Sequence, residues 1–140
     1  MSLMKDAPID HIAIVVADLD ASLALYTQTL GFSVVYREIV ADQGVETVGL
    51  RSGDAVVELL RPLDPGSPVA RFRGEAPSKL HHTAYRVDDL AAELARLTAA
   101  GVRLIDTEPR RGAHGNLIAF LHPRSTGGVL IELCQPAART

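Results

Sequence analysis

The chain repeats itself. DHIAIVVADL (10–19) matches HHTAYRVDDL (81–90), and AVVELLRP (55–62) matches VLIELCQP (129–136). Internal self-similarity points to a duplicated supersecondary unit, which narrows the folds open to 140 residues. Near the start of each first match stands a histidine, His11 or His82. Inside each second match stands a glutamate, Glu58 or Glu132, and the His-to-Glu separation is nearly the same in both halves. Two imidazoles and two carboxylates on a repeated scaffold, brought together around a pseudo-two-fold axis, make an N2O2 donor set for one divalent ion.

The two halves share a layout. Residues 9–17 read as a strand, with Asp18 as a helix N-cap. Leu19, Leu23, Tyr26 and Leu30 then recur at helical spacing until Gly31 ends the run. Further strands are expected near 33–40, 45–51 and 55–61. In the second half the strand is 81–87, and Asp88 or Asp89 caps a helix lined by Leu90, Leu94, Leu97 and Ala100. Gly101 stops that helix, and strands follow near 102–106, 116–122 and 128–135. Each half is β-α-β-β-β. Prolines at 62, 65, 68 and 77 mark residues 62–79 as a linker, with a short helix through Val69–Arg73. Halves of this size bury little core alone. We therefore expect one domain over 1–140, with module one at 9–61 and module two at 80–136. MSLMKDAP reads as a disordered start.

Composition excludes several classes. Hydrophobic residues make up 47% of the chain, enough for a core, and the net charge of −3 argues against nucleic-acid binding. The single cysteine, Cys134, rules out an internal disulfide and points to a reducing, cytoplasmic setting. No apolar run reaches the length of a membrane span, and the N-terminus lacks a signal-peptide layout, so no membrane partner is expected. The charge is uneven. No acidic residue lies between Glu108 and Glu132, where Arg110, Arg111, His114, His122 and Arg124 fall. Such a segment suits an anionic ligand.

Strand alternation assigns faces. His11, Ala13, Val15 and Ala17 point one way, and Ile12, Ile14 and Val16 point toward the helix. His82, Ala84 and Arg86 share a face, while His81 takes the other. Glu58 lies with Val56 and Leu60, and Glu132 with Leu130 and Cys134. A carboxylate at such an apolar position is costly unless it is paired. The donor set suits one Co²⁺, Zn²⁺, Mn²⁺ or Ni²⁺ ion. Open coordination positions would take substrate oxygens and ease removal of an adjacent proton.

These residues resemble the vicinal oxygen chelate superfamily over about 9–136. Within it the chain is most similar to the methylmalonyl-CoA epimerase family. The stretches that carry the likeness are DQGVETVGL (42–50), VELLRPLDPGSPVARF (57–72), LHHTAYRVDDL (80–90), GVRLIDTEPRRGAHGN (101–116) and FLHPRSTGGVLIELCQP (120–136). The resemblance implies an α+β fold of two tandem βαβββ modules, forming a curved mixed sheet around a metal site with helices on the outer face. It implies His11, Glu58, His82 and Glu132 as ligands and Glu132 as a catalytic base. The reaction implied is an isomerase's: proton removal and return at C2 of methylmalonyl-CoA through a metal-stabilised enolate, interconverting 2R and 2S forms in propionate metabolism. Cobalt is among the ions the resemblance allows, and a homodimer is the assembly it implies.

One position departs from the family pattern. A branch of the family has a second Glu three residues after the QGV glycine, and here that residue is Thr47, beside Glu46. Either Glu46 or Thr47 is then a candidate second proton carrier. Candidate acyl-CoA contacts are Gln43, Arg110, Arg111, His122, Arg124 and the turn Ser125, Thr126, Gly127 and Gly128, whose backbone N–H groups would cradle an anion. The same four ligands would also serve a glyoxalase I (lactoylglutathione lyase), the alternative activity. The complete ligand set argues against a drug-sequestering module. A dioxygenase would favour two histidines and one carboxylate around iron.

Overall fold

The structure is a computed structural model that describes residues 4–137. It is α+β, built from two tandem βαβββ modules. By compactness the chain divides into a unit spanning His11–His81 and one joining the N-terminal segment through Asp10 to the residues from His82 onward.

In the first unit, β1 (Ile9–Val16) leads to α1 (Leu19–Ala24), then β2 (Ser33–Val40), β3 (Val45–Ser52) and β4 (Ala55–Pro62). Asp18 caps α1 by accepting from the Ala21 N–H at 3.0 Å. β2, β3 and β4 are antiparallel neighbours, and β4 pairs in parallel with β1. The last strand thus returns beside the first. Val16, Leu19, Val48, Leu50 and Leu59 are buried against the helix side, with Ile14, Leu23, Tyr26 and Phe32 packed around them. Ala13, Val15, Val45 and Leu60 form a second cluster on the opposite face. The alternation expected for β1 and β4 holds. The linker carries α2 (Pro68–Arg73), capped by Ser67, with Pro68 in its first turn.

The second unit repeats the plan with β5 (Ser78–Arg86), α3 (Leu90–Ala99), β6 (Arg110–Arg111), β7 (Leu117–Leu121) and β8 (Ile131–Gln135). Asp89, rather than Asp88, caps α3 through the Ala92 N–H. β8 pairs in parallel with β5 and antiparallel with β7, and β7 pairs with β6. Leu90, Leu94, Ala119 and Leu133 build the core under α3. Ile118, Phe120 and Cys134 lie together on the other face.

Four local expectations need correction. The first helix widens into a π turn at Leu25–Thr29, where the Leu30 N–H reaches Leu25 O. The extra residue rotates Leu30 out of the core, and Phe32 packs there instead. No strand forms at 102–106, only a bridge between Leu104 and Leu121. The Asp106 carboxylate takes the Phe120 N–H at 2.9 Å, ending the ladder with a side chain. β8 starts at Ile131 because Gly127 and Gly128 hold positive φ of 72° and 94°, outside strand geometry. Of the expected disordered start, residues 1–3 lie outside the described residues. Met4–Asp6 forms a 3-10 turn, Met4 packs against the α3 core, and Pro8 O accepts from the Arg86 N–H.

No helix among the described residues is long and apolar enough to cross a membrane. Leu59 and Leu133 are fully buried, one in each helix-side core. Leu59→Ala and Leu133→Ala should each destabilise the protein by about 2–5 kcal/mol in urea unfolding.

Candidate active site

Each module assembles a His–Glu pair by the same register. In module one, Ala13 of β1 stands opposite Glu58 of β4. In module two, Ala84 of β5 stands opposite Glu132 of β8. The histidine lies two residues before that alanine in both strands, so its ring leans over a methyl group toward the carboxylate. His11 Nε2 is 3.5 Å from Glu58 Oε1, and His82 Nε2 is 3.4 Å from Glu132 Oε1. All four residues are only 3–5% exposed. A carboxylate so placed must have polar or ionic company, and a neighbouring imidazole supplies a second donor of the kind a divalent metal takes. Each pair fits half of a mixed nitrogen–oxygen ligand set.

The surroundings differ between modules. The Tyr36 hydroxyl of β2 donates a short hydrogen bond to Glu58 Oε2. In module two the ring of Phe120 meets the His82 ring edge to face, with centroids 5.2 Å apart. Sequence reading missed both aromatics. Phe120 was open to discovery, because alternation in LIAFL places it with Ile118 on the glutamate's face. Tyr36 was not. Regular alternation puts it with Val34 on the helix face, and a bulge between the two turns it over. His81, as expected, points elsewhere and packs edge-on against Phe72.

Of the two candidate second proton carriers, only Thr47 falls on Glu58's face. It is buried on β3, aligned with Val45 of that face's cluster. Glu46 does not reach in through a bulge. Its carboxylate is forked between Arg37 Nε at 2.8 Å and Arg61 Nε at 2.9 Å. Those arginines hold the Glu46 carboxyl below the usual carboxylate range, chiefly through the Arg37 hydrogen bond and then that of Arg61.

The basic segment is also more committed than expected. Arg110 Nε bonds Asp106 at 3.0 Å and its guanidinium stacks 5.6 Å from the Phe120 centroid. His122 Nδ1 accepts from the Arg124 N–H. In the turn, the N–H groups of Ser125, Thr126 and Gly128 donate to His122 O, Pro123 O and Pro123 O. The Ser125 hydroxyl accepts from Arg103 N, and the Thr126 hydroxyl donates to Val129 O. In the expected anion cradle the N–H groups of Ser125, Thr126 and Gly128 are therefore engaged within the turn itself. Arg111 and Arg124 remain exposed, and Gln43 is half-buried in the turn before β3.

Comparison with known proteins shows the family. Residues 10–120 match the Glyoxalase/Bleomycin resistance protein/Dioxygenase superfamily. An ethylmalonyl-CoA/methylmalonyl-CoA epimerase of Cereibacter sphaeroides is 41% identical over 91% of this chain and 96% of its own length. The crystal structure of methylmalonyl-CoA epimerase from Mycobacterium tuberculosis aligns with a TM-score of 0.91 at 39% identity, covering 99% of this chain and 94% of that one. A methylmalonyl-CoA epimerase solved with methylmalonyl-CoA and NH4+ aligns with a TM-score of 0.86 at 38% identity, covering 94% and 96%.

The arginine fork on Glu46 has a pH consequence. Its folded pKa is lowered, so its contribution to stability is present above the unfolded carboxylate value and fades as pH falls through the folded one. Glu46→Gln should lower Tm at pH 7, and the deficit should shrink progressively in acid below the ordinary glutamate range. A pH series of thermal melts on both proteins checks this.

Proposed function

The chain belongs to the glyoxalase/bleomycin resistance protein/dioxygenase superfamily, in its methylmalonyl-CoA epimerase branch, and we propose that it interconverts the 2R and 2S forms of methylmalonyl-CoA. The enzyme is an isomerase of the epimerase type. The observation that supports metal-assisted proton transfer is the His–Glu register repeated in both modules, since it gives each half two donors of the right kind in a buried setting; the epimerase relatives, 41% and 38% identical, favour the methylmalonyl-CoA substrate over the hemithioacetal. In this proposal His11, Glu58, His82 and Glu132 hold one divalent ion, Co²⁺, Zn²⁺, Mn²⁺ or Ni²⁺. When bound, such an ion supplies positive charge that withdraws electron density from a thioester carbonyl and acidifies the neighbouring C–H.

The chain's own residues do the rest. Glu132, a carboxylate among apolar neighbours, takes the C2 proton and can return it. Thr47 is the candidate for proton delivery on the opposite face, now that Glu46 is held by its two arginines. Of the proposed acyl-CoA contacts, exposed Arg111 and Arg124 offer charge to CoA phosphates. Gln43, Arg110, His122, Ser125, Thr126, Gly127 and Gly128 contribute shape along the path. The lone buried cysteine supports a cytoplasmic setting. Exposed Val34 and Ile39 on the edge strand β2 support a homodimer.

The direct test is proton exchange. Protein reconstituted with Co²⁺ should wash the C2 proton of methylmalonyl-CoA into D2O, followed by NMR, and should be slower on the glutathione–methylglyoxal hemithioacetal. Faster turnover of the hemithioacetal would replace the epimerase reading with the glyoxalase one. Glu132→Gln should reduce kcat by roughly 10²–10⁴-fold with the fold intact by circular dichroism.

We also propose that residues 1–140 fold as one domain, because neither module alone buries a large core. Urea unfolding should then show coincident transitions by tyrosine fluorescence and circular dichroism, and two separated transitions would contradict it.

A further inference from the structure

Three features of module one converge on one side chain. Tyr36 of β2 stands opposite Gly49 of β3, and Gly49 stands opposite Glu58 of β4. The three residues form a single row across the sheet. Adjacent strands lie about 4.8 Å apart, so the Tyr36 backbone is roughly 10 Å from that of Glu58. A tyrosine bridges that gap only by lying flat over the middle strand. It does so here because the middle residue has no side chain. A Cβ built on Gly49 would sit 2.3 Å from two atoms of the Tyr36 ring.

The backbone has been adjusted to permit this. Val34 stands opposite Leu50, and Tyr36 opposite Gly49, so two steps on β2 match one on β3. Val35 is the inserted residue of a bulge. In regular alternation Tyr36, two residues after Val34, would share the face of Val34 and Leu50, on the helix side. Bulges of this kind re-aim a side chain at the cost of a ladder position. Module two has no such row. Phe120 occupies the place across from Glu132 that Gly49 holds across from Glu58, and a phenyl ring donates no hydrogen bond.

We infer that Tyr36 is a positioning residue for Glu58: its phenol, admitted by Gly49 and aimed by the Val35 bulge, fixes the Glu58 carboxylate in the orientation that presents its other oxygen beside His11. This rests on the metal reading proposed above. One oxygen takes the phenol, and the other lies 3.5 Å from His11 Nε2. Partners that orient a metal ligand are worth on the order of 10- to 100-fold in metal affinity when removed.

The test is metal binding, read without turnover. Co²⁺ dissociation constants are measured by calorimetry, and the visible absorption of the Co²⁺ form is recorded, for the wild type, Tyr36→Phe, Gly49→Ala and Tyr26→Phe. Circular dichroism checks that each variant is folded. Tyr36→Phe should weaken binding by roughly 10- to 100-fold and alter the Co²⁺ spectrum. Gly49→Ala, which displaces the same ring, should act in the same direction, and it carries the test if Tyr36→Phe does not fold. Tyr26→Phe removes a hydroxyl on the helix side and should change neither readout. A loss under about fivefold in Tyr36→Phe, or an equal loss in Tyr26→Phe, overturns the inference while leaving the metal reading intact. Failure of the wild-type protein to take up Co²⁺ overturns both.

Discussion

A carboxylate buried in an apolar strand needs a partner, and in this chain that need organises each module. The parallel return of the last strand beside the first sets Glu58 opposite Ala13 and Glu132 opposite Ala84. The alanine is small, so the histidine two residues earlier can lean over it. Neither donor could be paired by local sequence, since the strands meet only after a helix and two intervening strands. The topology therefore comes first, and the chemistry follows from where it puts two residues.

The duplicated scaffold does not stay symmetric where the chemistry requires otherwise. Module one spends a bulge and a glycine to lay Tyr36 across to Glu58. Module two sets Phe120 against His82 and stacks Arg110 on its ring. On the helix side of module one, Glu46 is held between Arg37 and Arg61, away from the Glu58 face. An inherited frame has been given unlike linings, one polar and one aromatic. Unlike environments are what let two identical side-chain types take separate acid–base roles.

What could be read from the sequence was what depends on repetition and period. The His and Glu pairs, the face of every core residue on β1 and β4, the cap at Asp18, a cap at Asp88 or Asp89, and the helix within the linker all follow from spacing and residue type. The features that escaped reading are departures from period. A bulge at Val35 reverses the face of Tyr36, a π turn expels Leu30, and at 102–106 a single bridge, closed by the Asp106 side chain on the Phe120 N–H, stands where a strand was expected. The turn at Ser125–Gly128 has the composition of an anion site, but the N–H groups of Ser125, Thr126 and Gly128 bond carbonyls in the same loop. Composition shows that donors exist; only coordinates show where they are spent.

Metal stoichiometry tests the account's central claim most directly. If His11, Glu58, His82 and Glu132 serve one ion, titration of the metal-stripped protein with Co²⁺ should saturate at a single tight equivalent per chain. Removal of either histidine should then abolish that equivalent altogether. Two tight equivalents per chain, one for each module, would contradict the account, as would retention of the ion when either histidine is replaced.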